Sequence, residues 1–381
     1  MNARNCATLA VAAALGLGVL GFGLPGSSPA LAQQSPAGAQ NSINALPPAL
    51  RAAVLAGNPQ QITQAINVLS GGNPQRAAAL ASSVVSAAEQ LVTTNPQAAI
   101  QAAGAAVETV RASSVQTSSP QQTETVLTTA ARIFVSPTVQ QAAPLLAAGV
   151  ATATMSAAST MGNPTVSAGV SVQAVALAEG ILATSPAAAV QLAGAAVQSV
   201  QSQQVQAGAP GQTMSVVSGA SRVAVSPEAQ RVAPQTVAGI AVSVSQIVSN
   251  PVVYQTSPQS AINTMTNAYA AATSQTVISA VPSVTATVTS NISQAGGSIS
   301  LGLANSNNAS QVNAILAGQT QPTTTLPGST TTTNTTNTTT TTTNTTTTNT
   351  NTTTNTNTNT NDTPTVTFTN DDTSVFTASP S

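Results

Sequence analysis

The side chains able to do acid–base chemistry in this sequence are few enough to weigh one at a time. There is no His and no Lys, the one cysteine is Cys6, and the first Asp is Asp362. Before it the only carboxylates are Glu89, Glu108, Glu124, Glu179 and Glu228. Two carboxylates suffice in principle for glycoside hydrolysis, but sugar sites usually stack rings on aromatics, and the helical region has only Phe134, Tyr254 and Tyr269. Structural and catalytic zinc sites want imidazole or thiolate, and hard cations want clustered oxygens, which isolated Glu residues do not supply. The expectation is a protein that is not an enzyme, with no catalytic residue, no cofactor and no metal.

What the charged residues do show is recurrence. Glu89 and Glu179 lie 90 positions apart, and so do Arg132 and Arg222, whereas Glu108 and Glu124 become Gln198 and Met214. An Arg in the last turn of a helix faces free carbonyls and the negative end of the dipole, which is one explanation of Arg132 and Arg222. The other is a structural ion pair in each unit, Glu89 with Arg132 and Glu179 with Arg222. Such a pair would join the first helix of a unit to its third, and would favour a compact four-helix unit over an open stack. Gly104 and Gly194 also recur, mid-helix and flanked by Ala. Each costs about 1 kcal/mol relative to Ala, and close helix crossing is the use expected of them.

These pairs belong to a longer repeat. With Gly72-Asn73-Pro74 set on Gly162-Asn163-Pro164, the chain matches itself without a gap, with roughly 35 identities in 87 positions. Pro74, Pro96, Pro120, Pro137 and Pro144 fall on Pro164, Pro186, Pro210, Pro227 and Pro234. Most follow Asn or Ser, and a capping residue before a proline is a helix start signal. Apolar residues step by three or four, as in Leu80, Val84, Ala88 and Leu91, which is the spacing of one buried helical face. Four helices per unit follow, in the first over about 74–93, 96–113, 120–134 and 137–160, with boundaries good to a few residues.

A helix pair of about 45 residues cannot close a core alone, least of all one rich in Ala, and stacking of neighbouring pairs is how such units become stable. The expected fold is all-α, a tandem helical repeat of two 90-residue units arranged as a solenoid or an elongated bundle. The pair length resembles HEAT and armadillo repeats, although their sequence signatures are absent.

Around this core the chain divides by composition. Residues 1–32 read as a signal peptide, with Arg4, an apolar run from Ala10 to Leu24, and cleavage after Ala30-Leu31-Ala32. Cys6 is removed with it, so the mature chain has no thiol. Residues 33–42 are a flexible N-terminus and 43–71 capping helices, over about 42–55 and 59–69. Units follow at 72–161 and 162–249, then a degenerate, partly helical C-terminal cap at 250–318, where alternation over 277–303 suggests a small strand pair or an irregular cap. Residues 319–363, dominated by Thr and Asn, have too little apolar surface to offset the entropy of ordering and form a linker or stalk. Residues 364–381 are expected to be a C-terminal tail that forms a short hairpin or serves as an exposed tag.

Only 4% of the residues are charged and the formal net charge is −1, which excludes the clustered cations a nucleic-acid binder needs. No segment after the signal is apolar enough to span a membrane. The expected function is that of a secreted, cell-surface or periplasmic structural or adhesion protein, whose partner is a protein, a cell-surface polymer or another copy of itself. The alternative is a binding module that holds a peptide, polymer or lipid in a groove.

Overall fold

The computed structural model describes residues 39–297 and 306–322; residues 1–32, expected to be a signal peptide, the Thr/Asn stretch beyond 322 and the expected tail at 364–381 lie outside them. Among the described residues every element is a helix. The chain begins with α1 (Ala39–Ala45), α2 (Pro48–Ala56) and α3 (Pro59–Ser70). The first unit holds α4 (Pro74–Leu91), α5 (Pro96–Val110), α6 (Ser113–Ser118), α7 (Pro120–Phe134), α8 (Pro137–Ala142) and α9 (Pro144–Thr160). The second holds α10 (Pro164–Ile181), α11 (Pro186–Ser199), α12 (Gln203–Gly208), α13 (Pro210–Val225), α14 (Pro227–Val232) and α15 (Pro234–Val248). Then come α16 (Pro251–Thr256), α17 (Pro258–Thr273), α18 (Gln275–Ala280), α19 (Val284–Gly297) and α20 (Ser306–Leu316).

Local chemistry explains most starts and stops. Asn58, Asn73, Asn95, Asn163 and Asn250 each accept a backbone N–H of the first turn they precede, with Pro at the first helical position. Ser119, Ser185 and Ser257 precede Pro as well but make no such bond. At the other end, α2 and α3 stop at Gly57 and Gly71, whose φ values of 61° and 58° are left-handed.

Three expectations need correction. The fourth helix of each unit is two: Pro144 and Pro234 offer no N–H to the preceding turn and push Ala143 and Ala233 out of the helical region, to φ −152° and −147°. The first N-terminal helix is likewise divided at Pro47-Pro48. Alternation over 277–297 does not make strands either, because α18 and α19 occupy most of those residues; Val284, Val288, Ile292 and Ala295 put one face of α19 into the core, and Val277 of α18 is buried with them. Residues 298–303 lie outside the described part.

The long helices pack in two series. In one, α4 lies on α7, α7 on α10, α10 on α13 and α13 on α17. In the other, α3 lies on α5, α5 on α9, α9 on α11, α11 on α15 and α15 on α19. Each long helix from α4 to α19 also touches the next long helix along the chain. First and third helices of a unit are therefore neighbours, but so are α7 and α10, which belong to different units. That contact does not single out a closed four-helix unit, as the sequence argument supposed. Apolar residues from Leu46 to Ile315 form one continuous core, made largely of Ala and Val.

Candidate functional site

The recurring charges meet. Arg132, in the last turn of α7, donates from Nε to Glu89 Oε1 at 2.9 Å and from Nη2 to Glu89 Oε2 at 3.2 Å, near the end of α4. Arg222, in the last turn of α13, donates from Nε to Glu179 Oε1 at 2.8 Å on α10. Its Nη2 lies 2.7 Å from the same oxygen, and Nη1 donates to Ser218 Oγ at 3.1 Å.

Equivalent in sequence, the two pairs differ in burial. The Arg132 and Glu89 side chains are 60% and 42% exposed, those of Arg222 and Glu179 only 25% and 5%. Helix α10 has α7 on one side and α13 on the other, whereas α4 has only the short α1 and α2 where α10 has α7. Burial raises the Glu179 carboxyl above the ordinary Glu value, and the charge and hydrogen bond of Arg222 only partly offset this. Arg132 is raised, chiefly by its hydrogen bond to Glu89. Both pairs join helices, and nothing in their geometry presents a free carboxylate to a substrate.

The recurring glycines sit where helices of one series cross. A Cβ on Gly104 would stand 3.0 Å from Val150 Cγ2 on α9, and one on Gly194 3.4 Å from Thr236 Cγ2 on α15. Sequence reasoning missed a closer approach at Gly219, where a Cβ would collide with Val175 Cγ1 across the α10–α13 contact. Its signal was a mid-helix Gly next to Ala, but Thr129 stands at the equivalent place in the first unit and no recurrence marked it.

A second recurring polar pair was also missed. Gln116 on α6 donates to Thr160 Oγ1 at 3.0 Å, and 90 positions on, Gln206 on α12 accepts from Asn250 Nδ2 at 2.6 Å. Gln140 and Gln230, on α8 and α14, return instead to carbonyls ending the preceding helix: Val135 O at 2.7 Å, and Ala224 O and Val225 O, each at 3.2 Å. The invariance of these glutamines between units was visible in the sequence. Their partners were not, because the short helices that aim them were not expected.

Most side-chain bonds between distant helices span a similar separation. Gln116 to Ala157 O spans 41 positions, Gln201 to Ser243 42, Arg132 to Glu89 43, Asn291 to Ser245 46 and Tyr269 to Leu316 O 47. The tyrosines fasten α20: Asn308 Nδ2 donates to the buried Tyr254 hydroxyl at 3.1 Å, and Tyr269 donates to Leu316 O at 3.3 Å. Burial pushes the Tyr254 phenol up, against the Asn308 hydrogen bond.

Three of the surface cavities lie along the series α3–α5–α9–α11–α15. One of about 510 Å³ lies between α3 and α5, lined by Pro59, Thr63, Val68, Gly104 and Ala105. A second of about 490 Å³ lies among α9, α10, α11 and α12, lined by Thr152, Met155, Pro164, Ala195, Gln198 and Val205. The third, of about 340 Å³ between α11 and α15, includes Gly194, Gln198, Gln235 and Gly239. Among the described residues no three His, Cys, Asp or Glu side chains converge as metal ligands would, and no helix is long and apolar enough to cross a membrane. No protein-family model, no curated protein and no solved structure matches the chain.

Proposed function

We propose that this chain is an exported, non-enzymatic helical-repeat scaffold, which presents its surface for adhesion or self-assembly and carries residues 319–363 as a stalk. The observation that supports this reading is the separation of most of its long-range side-chain bonds, 41 to 47 positions, as from Gln116–Ala157 to Tyr269–Leu316. Long helices lie against their counterparts one helix pair later, and side-chain bonds such as Arg132–Glu89 and Asn291–Ser245 join several of these contacts, so pairs stack as steps in the manner of HEAT-like or armadillo-like solenoids. In such a stack each step completes its core with its neighbours, and the product is a broad surface in place of an enclosed site.

Excising residues 72–161 tests it. The cut joins Gly71 to Gly162-Asn163-Pro164, reproducing the native Gly71-Gly72-Asn73-Pro74 junction. A stack of steps keeps its helix content per residue and melts cooperatively at a lower temperature; a product without helix would refute it. Immunoblots of fractionated source cells test export: the expected species begins at Gln33 and lies outside the cytoplasm, and a cytoplasmic species retaining residues 1–32 would refute that part.

A second reading, a binding module, is favoured by one observation. The three most exposed large aliphatic residues of α3 and α9, Val68, Leu145 and Leu146, stand on the same helix series as the three cavities.

A further inference from the structure

We propose that the cavity between α13 and α17 binds a small oxyanion, the carboxylate, sulfate or phosphate group of a small molecule, on the Arg222 guanidinium and the hydroxyls of Ser218 and Ser260. The site lies in the α4–α7–α10–α13–α17 series and does not rest on either reading above.

The cavity measures about 420 Å³, and its wall includes Gly211, Ser215, Ser218, Arg222, Ser257 and Ser260. Arg222 is the one charged residue of that wall. A guanidinium has five N–H donors in a fixed fork. Glu179 takes Nε and one hydrogen of Nη2, and Ser218 takes one hydrogen of Nη1. That leaves one N–H on each terminal nitrogen without a partner among the described residues. Glu179 stands on α10 and is not part of the wall. It holds the Nε–Nη2 edge, while Nη1 is turned to Ser218, which lines the cavity.

The hydroxyls beside the guanidinium are set as donors too. Ser218 Oγ accepts from Arg222 Nη1 at 3.1 Å, and Ser260 Oγ accepts from Ser257 Oγ at 2.7 Å. Each then has its own proton to give to an acceptor in the cavity. Ser257 bonds Ser260 instead of capping α17, so the uncapped amides of this 16-residue helix add positive potential at the same wall. Donors that converge on a cation with no carboxylate among them match an oxyanion, whose oxygens only accept.

The first unit supplies the comparison. At the positions of Gly211 and Met214 it has Gln121 and Glu124, so the helix face that leads to Arg132 carries a carboxylate and a longer side chain. The second unit keeps the arginine and loses both. A Cβ on Gly211 would meet nothing within 4 Å, which leaves that end of the cavity open to a ligand.

The test is a titration of the full chain, labelled with 15N, at pH 6 and constant ionic strength, followed through its arginine Nε–H signals. The probes are sulfate and acetate. The Arg222 signal is expected to move saturably and that of Arg132 to stay in place. Gly211→Gln imports the residue of the first unit into open space, and Ser215→Asp adds a carboxylate at an exposed position of the wall; each should raise Kd at least about fivefold. Glu179→Gln removes the carboxylate that competes for the same guanidinium and should lower Kd at least about threefold. Saturation by either probe together with these changes supports the site, and the tighter probe names the group. If neither probe moves Arg222 saturably, if Arg132 moves as much, or if the three variants leave Kd unchanged, the assignment is overturned.

Discussion

Removing the guanidinium of Arg222 should cost the protein far more than removing that of Arg132, although the two occupy the same place in the repeat. In Arg222→Gln the Glu179 carboxylate, 5% exposed, loses its only cation. Leaving one member of a buried pair uncompensated costs about 3–5 kcal/mol. The carboxyl has an escape, because it can take up a proton. For a Glu of ordinary pKa near 4.3, protonation at pH 7 costs at most about 3.7 kcal/mol, 1.36 kcal/mol per pH unit, and burial has already raised Glu179, so the cost is smaller. A loss of about 2–3.5 kcal/mol follows. Glu179→Gln should cost less than about 1 kcal/mol, since the amide oxygen still accepts from Arg222, which at 25% exposed keeps access to water. At the outer pair, 60% and 42% exposed, either single change and the coupling should lie within the roughly 0.2–1 kcal/mol of surface pairs.

Two double-mutant cycles measured by urea denaturation at pH 7 give the comparison. The pH dependence supplies a second check with a definite sign. A carboxyl whose pKa is raised on folding contributes stability that is present below its unfolded pKa and lost as pH rises through the folded one. Glu179 should therefore favour folding at pH 4 over pH 7, and Glu179→Gln should remove that component. Equal coupling in the two cycles, or an Arg222→Gln cost below 1 kcal/mol, would refute the argument that burial, and not sequence position, sets the strength of the pair.

The helix crossings predict an order among glycines: Gly219→Ala and Gly104→Leu should destabilise by about 1–3 kcal/mol through overpacking, while Gly149→Ala, with open space around its Cβ, should gain up to about 1 kcal/mol from helix propensity; thermal melts that rank Gly149→Ala below Gly219→Ala would contradict the geometry. Tyr254→Phe leaves Asn308 without its acceptor and should cost about 0.5–1.5 kcal/mol at pH 7. Because burial raises the Tyr254 phenol, the intact residue contributes stability that is lost as pH climbs through its folded pKa, so the variant should lose less stability than the parent between pH 9 and 11. Deleting everything after residue 322 should leave the far-UV circular dichroism per helical residue and the melting temperature nearly unchanged, since α20 is already closed by the Gly318 and Gln319 amides on Ile315 O and Ala314 O; a melt lower by more than a few degrees would assign the C-terminal segment a part in the fold.

Much of this protein was written in short-range chemistry. Asn before Pro fixes a helix start because both its cap and its φ angle act within four residues, and the starts at Pro74, Pro96 and Pro164 stand where that rule puts them. The repeat itself, the helical class and the recurrence of Glu89 with Arg132 needed no coordinates. Two local rules were misweighed: Pro144 and Pro234 were counted as punctuation and then run through, and alternation over 277–297 was given more weight than the wider spacing of Val284, Val288 and Ile292.

What the tertiary structure alone decided is everything that depends on which neighbour packs against each residue. Glu89 and Glu179 are the same letter in the same register, yet one lies at the surface and the other is buried against α13, where a Cβ on Gly219 would stand 3.2 Å from Glu179 Oε1 and the first unit has Thr129 in place of that glycine. Gly219 became a point of closest approach through Val175, 44 positions away. The first–third helix contact suggested a closed unit from sequence, and only the matching contact of α7 on α10 shows that it continues past the unit boundary. A sequence repeat specifies which residues are equivalent; desolvation and contact are set by what packs against each copy, and the ends of a repeat array never have the neighbours of its middle.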